Sequence, residues 1–498
     1  MAAARPAPMP APASAAPRDA FMRAFYPRPS RDTSRFEGLS GSRTGVRERE
    51  HEWARMLNAL YRAAWALVLL VAFLEASPAP DASASWPLYR RTLANSGAAP
   101  GPAQVTHLEL HSLWTYRAQS RLTSAPAVAN GVVYAGTWSG LALAIDAQSG
   151  RVQWSTDVGA NPDTFYGGPR GVIGSPAVAA GIAYMVSGSC TAAALDAVTG
   201  RVVWRRQICD IARNDDTYAS PVVAAGAVLF GVDQIADRPT SRGYEIALDT
   251  VSGAERWRFY PQRYQGTGAG ISATPAVDLE RGLAFVGTGN PTPANHPPPG
   301  PDAYAESICA LDLQSGRMRW AFGPVHPHDD GDNDLFASAN LFTATVGGVR
   351  YHVVGEAGKD DVYYAVDENT GKLLWKRRLV PTSNYAMVIG TSAVGTDAIY
   401  VPVFENQNLG WIVALRSSDG AILWSKRMSG AYEAPALWGG VLFVTEAAGW
   451  IDALSARDGR ALGRWAIDRP VLGRGPTIAG DTLYEASGQA LHAFAIVH

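Results

Sequence analysis

Short apolar runs separated by turn residues follow one another from about residue 86 to the C-terminus. The stretches SPAVANGVVYAGT (124–136) and SPAVAAGIAYMVS (175–187) each place a Gly-containing turn between two such runs. Short runs rich in β-branched and aromatic residues and bounded by turn residues are typical of β-hairpins. The pattern therefore predicts a chain built mainly from short antiparallel strands.

One phrase recurs along this region: Ala, an aliphatic residue, usually Asp, a few variable residues, Gly, and then Trp four residues after the Gly. Six copies and a degraded seventh are AIDAQSGRVQW (144–154), ALDAVTGRVVW (194–204), ALDTVSGAERW (247–257), ALDLQSGRMRW (310–320), AVDENTGKLLW (365–375), ALRSSDGAILW (414–424) and ALSARDGRALGRW (453–465). Together with Trp114, these tryptophans lie 40 to 63 residues apart. That period is typical of a propeller blade of four strands.

Each copy of the phrase predicts a hairpin whose Asp side chain bonds to turn amides and whose Gly adopts positive φ. The following strand is expected to carry its Trp between adjacent sheets. After the seventh copy, TLYEASGQALHAFAI (482–496) lacks a Trp strand, and HSLWTY (111–116) can supply it. We therefore predict an all-β, eight-bladed propeller of the quinoprotein alcohol dehydrogenase-like kind, whose last blade is closed by an N-terminal strand and leaves no free sheet edge.

The N-terminal part of the chain differs in composition from the repeats. Residues 1–55 are rich in Ala, Pro and Arg and are interpreted as a disordered or untranslated extension, with Met56 as a second possible start. Residues 56–84 contain a run of about a dozen apolar residues followed by small ones, which indicates a signal peptide. An uncleaved membrane anchor is the alternative. Either interpretation predicts that the propeller, residues 86–498, is periplasmic or secreted.

Charge and cysteine content narrow the function classes. The formal net charge is −2, without a basic stripe, and this argues against nucleic-acid binding. With three cysteines, at most one intramolecular disulfide can form. Cys190 and Cys209 could be bridged in an oxidising compartment or could both be buried thiols, whereas Cys309 lies in an apolar strand and is expected in the core.

The repeats and the order of the segments between them resemble the quinoprotein alcohol dehydrogenases, above all the polyvinyl-alcohol-dehydrogenase-like branch. The opening segment WPLYRRTLANSG (86–97) is similar to the first segment of that family. The resemblance implies a site at the propeller axis for calcium and pyrroloquinoline quinone (PQQ), where a small or polymeric alcohol gives up a hydride to the quinone. Electrons would pass to a separate acceptor such as a cytochrome c, since no Cys-x-x-Cys-His haem motif occurs.

Two motifs resemble the part of the family site that holds the metal and the base. GTGNPTP (287–293) is similar to a loop whose Asn is a metal ligand, here Asn290. HDDGDNDLFASANLF (328–342) is similar to the segment with the catalytic aspartate, and the matching residues are Asp332 and Asp334. The resemblance implies that Asp332 is the catalytic base and that all three residues bind the metal.

Two further motifs resemble segments that contact the cofactor. GKDDVYYAVD (358–367) implies Lys359, and GPRG (168–171) implies Arg170. In the family a Trp lies under the quinone ring, and the matching position here is Ser272. The residue between the two aspartates is Asn333, where the family has an aromatic, and the adjacent cysteines of the methanol-oxidising members have no counterpart.

The family also has a metal-ligating Glu before an Arg-Gly step, which here is Arg242-Gly243. The acid interpreted as its counterpart is Asp237, in GVDQIAD (231–237), and its side chain is shorter than that of Glu. Oxygen ligands from Asp and Asn suit calcium. His326 and His328 are only a weak zinc signal because they have no matching partner motif.

The candidate residues form a chemically consistent set. A base, a Lewis acid and a held hydride acceptor are what alcohol oxidation by a quinone requires. Each residue also has a plain interpretation: a solvated acidic loop for DDGDND, a turn for Asn290, and a surface ion pair for Lys359. Two functions follow, a periplasmic PQQ- and calcium-dependent alcohol dehydrogenase or a cofactor-free propeller scaffold that binds proteins or glycans, as outer-membrane-assembly propellers do.

Overall fold

A computed structural model describes residues 85–162, 168–234, 242–263, 268–291, 304–324, 332–383, 385–468 and 474–498. The predicted extension (1–55) and signal peptide or anchor (56–84) therefore lie outside the described residues. Among the residues that are described, no helix is long and apolar enough to span a membrane.

The described residues form eight antiparallel sheets of four main strands, arranged in chain order as blades 1 to 8. The strands are β1 (Ala98–Ala99), β2 (Glu109–Arg117), β3 (Ala127–Ala129), β4 (Val132–Gly136), β5 (Leu141–Asp146), β6 (Val152–Asp157), β7 (Ala177–Ala179), β8 (Ile182–Ser187), β9 (Thr191–Asp196), β10 (Val202–Gln207), β11 (Asp215–Asp216), β12 (Val222–Ala224), β13 (Ala227–Gln234), β14 (Tyr244–Asp249), β15 (Glu255–Phe259), β16 (Ala276–Asp278), β17 (Leu283–Gly287), β18 (Ile308–Asp312), β19 (Met318–Phe322), β20 (Asn340–Val346), β21 (Val349–Ala357), β22 (Val362–Asp367), β23 (Leu373–Arg378), β24 (Ala393–Val394), β25 (Ala398–Asn406), β26 (Leu409–Arg416), β27 (Ile422–Met428), β28 (Ala436–Trp438), β29 (Val441–Glu446), β30 (Trp450–Ser455), β31 (Ala461–Ala466), β32 (Thr477–Ala479), β33 (Thr482–Ser487) and β34 (Ala490–Val497).

Each blade consists of consecutive strands, innermost first. The blades are β3–β6, β7–β10, β12–β15, β16–β19, β20–β23, β24–β27, β28–β31 and, for blade 8, β32–β34 with β2 outermost. Pairing of β2 with β34 brings Trp114 opposite Ala493 and confirms that an N-terminal strand closes the last blade. The two-residue strand β11 extends blade 3, and a 3-10 turn at Ile211–Arg213 precedes it.

Seven interfaces between blades share one contact, which explains the repeated phrase. The indole N–H of a Trp in the outermost strand donates to a main-chain carbonyl of the next blade. That carbonyl lies in the turn between the third and fourth strands of the blade. The pairs are Trp114–Ala147 (2.9 Å), Trp154–Ala197 (3.0 Å), Trp204–Thr250 (2.9 Å), Trp257–Leu313 (3.0 Å), Trp320–Glu368 (2.9 Å), Trp375–Ser417 (3.1 Å) and Trp424–Ala456 (3.1 Å). We call this contact the Trp lock.

The turn that receives each Trp is built as the sequence predicts. In blade 4, Asp312 accepts the N–H of Ser315 at 2.9 Å, and Gly316 has φ +67°. A Cβ on Gly316 would lie 2.5 Å from the ring of Trp257. The Gly is therefore required twice, for its backbone conformation and because the indole of the preceding blade packs on it.

Trp465, which ends the degraded copy of the phrase, lies between adjacent blades but not at the position of a Trp lock. In blade 7 the residue opposite Ala453, where the other blades have their Trp, is Gly463. Trp465 lies two residues further on, opposite Ile451, and packs on the core between blades 7 and 8. The reason lies in blade 8, whose third and fourth strands, β34 and β2, are joined by no turn, so the carbonyl that accepts a Trp lock is missing there.

The opening segment, residues 86–99, covers one mouth of the central channel. Its carbonyls accept the N–H of the second residue in the innermost strand of six blades: Val128–Trp86, Val178–Pro87, Val277–Leu93, Leu341–Ala94, Val394–Ser96 and Leu437–Gly97, at 2.7–3.0 Å. Arg90, only 2% exposed, donates to the carbonyls of Ser392 and Pro435 at 3.0 and 2.6 Å. Main-chain groups that would otherwise be unpaired at the inner strand edges are thereby satisfied.

A chain of hydroxyl contacts lies next to this segment and links blades 2 to 6. The N–H of each residue donates to the hydroxyl of its counterpart in the next blade, in the order Ser175, Ser220, Thr274, Ser338 and Thr391, at 2.8–3.0 Å. In blade 4 the chain runs from Ser272 through Thr274, which belongs to this set of hydroxyl contacts, to Val277, which binds the opening segment. The far side of the channel from the opening segment is therefore the face on which Ser272 lies.

The cysteines resolve one alternative left open by the sequence. Cys190 and Cys209 form a disulfide with a Cα–Cα distance of 4.9 Å, linking the turn before β9 to the segment after β10. Cys309 is a buried free thiol in β18, as predicted.

Candidate functional site

Four candidate residues come from blades 4 and 5, at one end of their strands. Asn290 follows β17, Asp332 and Asp334 precede β20, and Lys359 follows β21. In an antiparallel blade the end of the second strand and the start of the first lie at the same edge. Short loops at that edge therefore bring together residues that are up to 69 positions apart in the sequence.

Asn290, Asp332, Asp334 and Lys359 form one polar cluster. The Lys359 ammonium lies 2.9 Å from both oxygens of Asp332 and 2.5 Å from Oδ2 of Asp334. The side-chain amide of Asn290 donates to Asp332 Oδ1 at 2.8 Å, and its main-chain N–H donates to Asp334 Oδ1 at 2.5 Å. The side-chain oxygen of Asn290 accepts the N–H of Asn333 at 3.1 Å. The four residues predicted from separate motifs therefore meet.

The two aspartates differ in their access to solvent. The side chain of Asp332 is 55% exposed, whereas those of Asp334 and Lys359 are 12% and 14% exposed. Partial burial opposes ionisation of Asp332, but the nearby ammonium outweighs it and holds the pKa of this carboxyl below its ordinary value. Burial alone would lower the pKa of Lys359, yet Asp334 and Asp332 keep it above its ordinary value. Asp332 is thus an ionised, accessible carboxylate.

A pocket beside this cluster is lined by Asp233, Gly270, Ser272, Gly289, Asp334, Leu335 and Phe336. The hydroxyl of Ser272 donates to Asp233. A Cβ on Gly270 would clash with the carboxylate of Asp233, and one on Gly289 would lie 2.9 Å from Asp334 Oδ1. These glycines let two carboxylates approach the main chain from either side.

Asp233 was not among the predicted ligands. The predicted acid, Asp237, belongs to the same stretch GVDQIAD but lies outside the described residues. Asp233 is near the end of β13, where the pairing with β11 places it opposite Asp216. The sequence could have indicated Asp233 by its position. It lies near the end of the second strand of blade 3, and Asn290 and Lys359 follow the second strands of blades 4 and 5.

Arg170 lies behind the pocket, fully buried and paired with Asp216. Burial raises the pKa of Asp216, although Arg170 opposes this effect. Because Asp216 is opposite Asp233 across the β11–β13 pair, the ion pair supports the pocket wall from within. Its guanidinium has no exposed surface with which to meet a ligand in this conformation.

The donor chemistry of the cluster fits a calcium ion better than a transition metal. Carboxylates of Asp332 and Asp334 and the amide oxygen of Asn290 are hard oxygen ligands, and the two carboxylates already converge on a cation, the Lys359 ammonium. Within the described ranges, no three His, Cys, Asp or Glu side chains are grouped closely enough to hold a metal by themselves. The amide of Asn290 and oxygens from a ligand or water would have to complete the shell.

The fit for a flat quinone is partial. Ser272 faces the pocket, as the motif implied, but offers no ring for stacking. Aromatic surface comes instead from Phe336 of blade 5, whose ring lies 5.3 Å from the Lys359 ammonium. Phe336 is the residue two before Ser338 in the hydroxyl chain, and Ser272 is two before Thr274, so the two residues occupy equivalent positions in adjacent blades.

The sequence profile of the family described as "PQQ: Glucose/ethanol/alcohol dehydrogenase, beta-propeller domain" matches residues 103–399. The chain belongs to this family. A second profile, "Outer membrane protein assembly factor BamB", matches residues 358–494.

Individual proteins agree with the family assignment. A polyvinylalcohol dehydrogenase from Pseudomonas sp is 26% identical over 314 residues, covering 50% of this chain and 47% of the relative. Outer membrane protein assembly factor BamB from Yersinia pestis is 25% identical over 282 residues, covering 56% and 61%. The chain thus spans about half the length of the curated relatives it matches.

The fold is shared with solved structures. The crystal structure of quinohemoprotein alcohol dehydrogenase from Comamonas testosteroni superimposes with a TM-score of 0.71 at 19% identity, covering 85% of this chain and 82% of that one. At that level of identity the likeness confirms the eight-bladed propeller and carries no information about the site.

Proposed function

We propose that this protein is a PQQ- and calcium-dependent dehydrogenase that oxidises an alcohol. The observation that carries the proposal is the convergence of Asn290, Asp332, Asp334 and Lys359 at one mouth of the channel, with Asp332 exposed and ionised. When bound, PQQ would supply the hydride acceptor and calcium the Lewis acid.

The residues of the chain have distinct roles in this proposal. Asp332 takes the proton of the substrate hydroxyl on its carboxylate, since it is the accessible member of the pair. Asp334 and Asn290 position it, and Asp334, Asn290 and Asp233 provide further oxygen ligands. Lys359 provides positive charge next to the reduced quinone, and Phe336 provides apolar lining. Asp233 takes the place that the sequence assigned to Asp237.

Export to an oxidising compartment is part of the proposal. The Cys190–Cys209 disulfide supports it, because such bonds persist mainly in secreted and periplasmic proteins. In this proposal the electrons pass to a separate acceptor such as a cytochrome c. The proposed substrates extend from small alcohols to polymeric ones, and the similarity to a polyvinylalcohol dehydrogenase supports the polymeric end.

The experiment uses the purified full chain with PQQ and calcium chloride. Equilibrium dialysis measures retained quinone, and dye reduction is assayed with short alcohols, diols and polyvinyl alcohol. The wild type is expected to retain PQQ in a calcium-dependent way and to reduce dye. Asp332→Asn should lower turnover on the order of 10²–10⁴-fold, while Asp312→Asn, which changes a turn aspartate in blade 4, should leave turnover unchanged.

A cofactor-free scaffold is the second candidate function. It is favoured by Ser272 at the stacking position and by the BamB profile over residues 358–494. Absence of PQQ retention together with absence of dye reduction would establish this alternative and reject the dehydrogenase. Retention of PQQ with unchanged turnover in Asp332→Asn would instead show that another group is the base.

A further inference from the structure

A second pocket lies at the seam between blades 2 and 3. It is lined by Gln207, Ile208, Cys209, Asp210, Arg213, Asp215, Arg242, Tyr244, Arg258 and Tyr260. Three arginines face two aspartates in this lining, so the pocket is more basic than the chain as a whole. Cys209 and Tyr260, both partly exposed, provide the least polar part of its wall.

The arginines of blade 3 are held rigidly by two tyrosines. The guanidinium carbon of Arg242 lies 3.6 Å from the centre of the Tyr260 ring, and that of Arg258 lies 4.2 Å from the Tyr244 ring. The two rings contact each other with centres 5.3 Å apart. Stacked guanidiniums are preorganised, so less side-chain entropy is lost when they bind a ligand.

Among the described residues, two of the three arginines in this pocket form an ion pair with an acidic side chain, and Arg242 is the third arginine. Arg213 lies 3.5 Å from Asp210, and Arg258 lies 2.8 Å from Glu255. Arg242 instead donates from Nη1 to the main-chain carbonyl of Gln262 at 3.2 Å and to that of Arg263. These contacts satisfy hydrogen bonds but do not neutralise its charge.

The Nε atom of Arg242 is buried and has no hydrogen-bond partner among the described residues. A buried N–H without a partner is costly, and a planar oxyanion at the side edge of a guanidinium is the ligand that satisfies it. The same is true of Arg258 Nε, so both unpaired donors belong to this one pocket. The pocket therefore lacks an acceptor on its basic wall.

We propose that this pocket is a binding site for a small carboxylate with an apolar body. The carboxylate binds Arg242 on the basic wall, and the apolar body lies along Cys209 and the ring of Tyr260. Asp210, which is more than half exposed, disfavours the reverse orientation by repelling the carboxylate. The site is distinct from the PQQ and calcium residues and does not depend on the proposed dehydrogenase activity.

Two main-chain bridges nevertheless connect this pocket to the candidate active site. Arg242 forms an isolated β-bridge with Gly268, and Gly268 forms another with Pro291, which follows Asn290. The segment from Gly268 to Ser272 thus borders the carboxylate pocket at one end and lines the polar cluster at the other.

The test is isothermal titration calorimetry of the full chain at fixed ionic strength without PQQ, using benzoate, acetate and benzamide. Benzoate is expected to bind, acetate to bind more weakly because it lacks the apolar body, and neutral benzamide not to bind. Arg242→Gln should weaken benzoate binding roughly tenfold to a hundredfold. Arg242→Lys, which keeps the charge but loses the planar fork, should also weaken it.

The matched control is Arg256→Gln, on β15 outside the pocket, where the arginine pairs with Asp249 at 2.7 Å. It should bind benzoate like the wild type. Thermal midpoints of all variants establish that each is folded. Equal weakening in Arg256→Gln, unchanged binding in Arg242→Gln, or binding of benzamide as tight as that of benzoate would each overturn the proposal.

Discussion

The seven interfaces with a Trp lock differ in kind from the interface between blades 7 and 8. At the seven, an indole crosses from one blade and donates to a turn carbonyl of the next. At the seam between blades 7 and 8, the buried carboxyl groups of Glu433 and Glu485 are instead close enough to interact electrostatically, and Thr445 of blade 7 donates to Glu485 of blade 8 at 3.1 Å.

The difference shows what a repeated contact requires. The indole needs a turn that presents both a carbonyl and a Gly, and blade 8 has the ends of β34 and β2 where that turn would be. Without the acceptor, nothing keeps Trp at the equivalent position in blade 7, which is Gly463. Ring closure at this seam therefore depends on buried acids and on β2.

The largest effect is expected from breaking one lock. Trp257→Ala removes a buried indole and its 3.0 Å hydrogen bond to Leu313, and should cost about 3–5 kcal/mol of unfolding free energy. Urea unfolding followed by tryptophan fluorescence and by circular dichroism measures this. A cost below that of Trp465→Ala would contradict the assignment of the lock.

The receiving turn should show the next largest effect. Gly316→Ala is strained at φ +67° and also presses on Trp257, whereas Gly282→Ala has a similar φ of +65° and nothing within 4 Å. The first should therefore be the more destabilising by about 1–3 kcal/mol. Equal costs in urea unfolding would show that the glycine serves only the backbone conformation.

The acidic seam should make stability depend on pH. Burial and the neighbouring Glu433 raise the pKa of Glu485 well above 4.5. Its stabilising contribution is thus complete below the unfolded value and is lost as the pH rises from about 4.5 through the folded value. Glu485→Gln should flatten the decline in urea midpoint between pH 5 and pH 8.

A turn aspartate is the control for this pH experiment. Hydrogen bonds from Ser315 and Arg319 lower the pKa of Asp312 to about 2, so Asp312 is ionised in both states throughout this range. Asp312→Asn should leave the slope of midpoint against pH as it is in the wild type. A slope as steep in Glu485→Gln as in the wild type would show that the pH dependence arises elsewhere.

The smallest effect is expected at the degraded repeat. Trp465 is only partly buried, lies outside the lock position and lacks its turn carbonyl, so Trp465→Ala should cost roughly 1 kcal/mol. The same urea titration compares it directly with Trp257→Ala. Similar costs for the two would mean that the seam relies on an aromatic contact as much as the locked interfaces do.

The sequence by itself determined the parts that rest on local chemistry. The Asp-to-Gly turn and the Trp after it predicted seven blade units, and the unpaired last segment predicted that β2 completes blade 8. The motifs that resemble the family also singled out Asn290, Asp332, Asp334 and Lys359, which the structure brings into one polar cluster.

Only the tertiary structure decided the parts that depend on distant partners. Closure of the ring decides the position of the opening segment over the channel mouth and the shift of Trp465. It also decides the Arg170–Asp216 pair and the place of Asp233 opposite Asp216. The same is true of the Arg242 pocket, whose walls come from two blades. A repeat specifies its own hairpins and its contact with the next repeat, but side chains that meet across a seam or the channel are placed by the number and rotation of the blades.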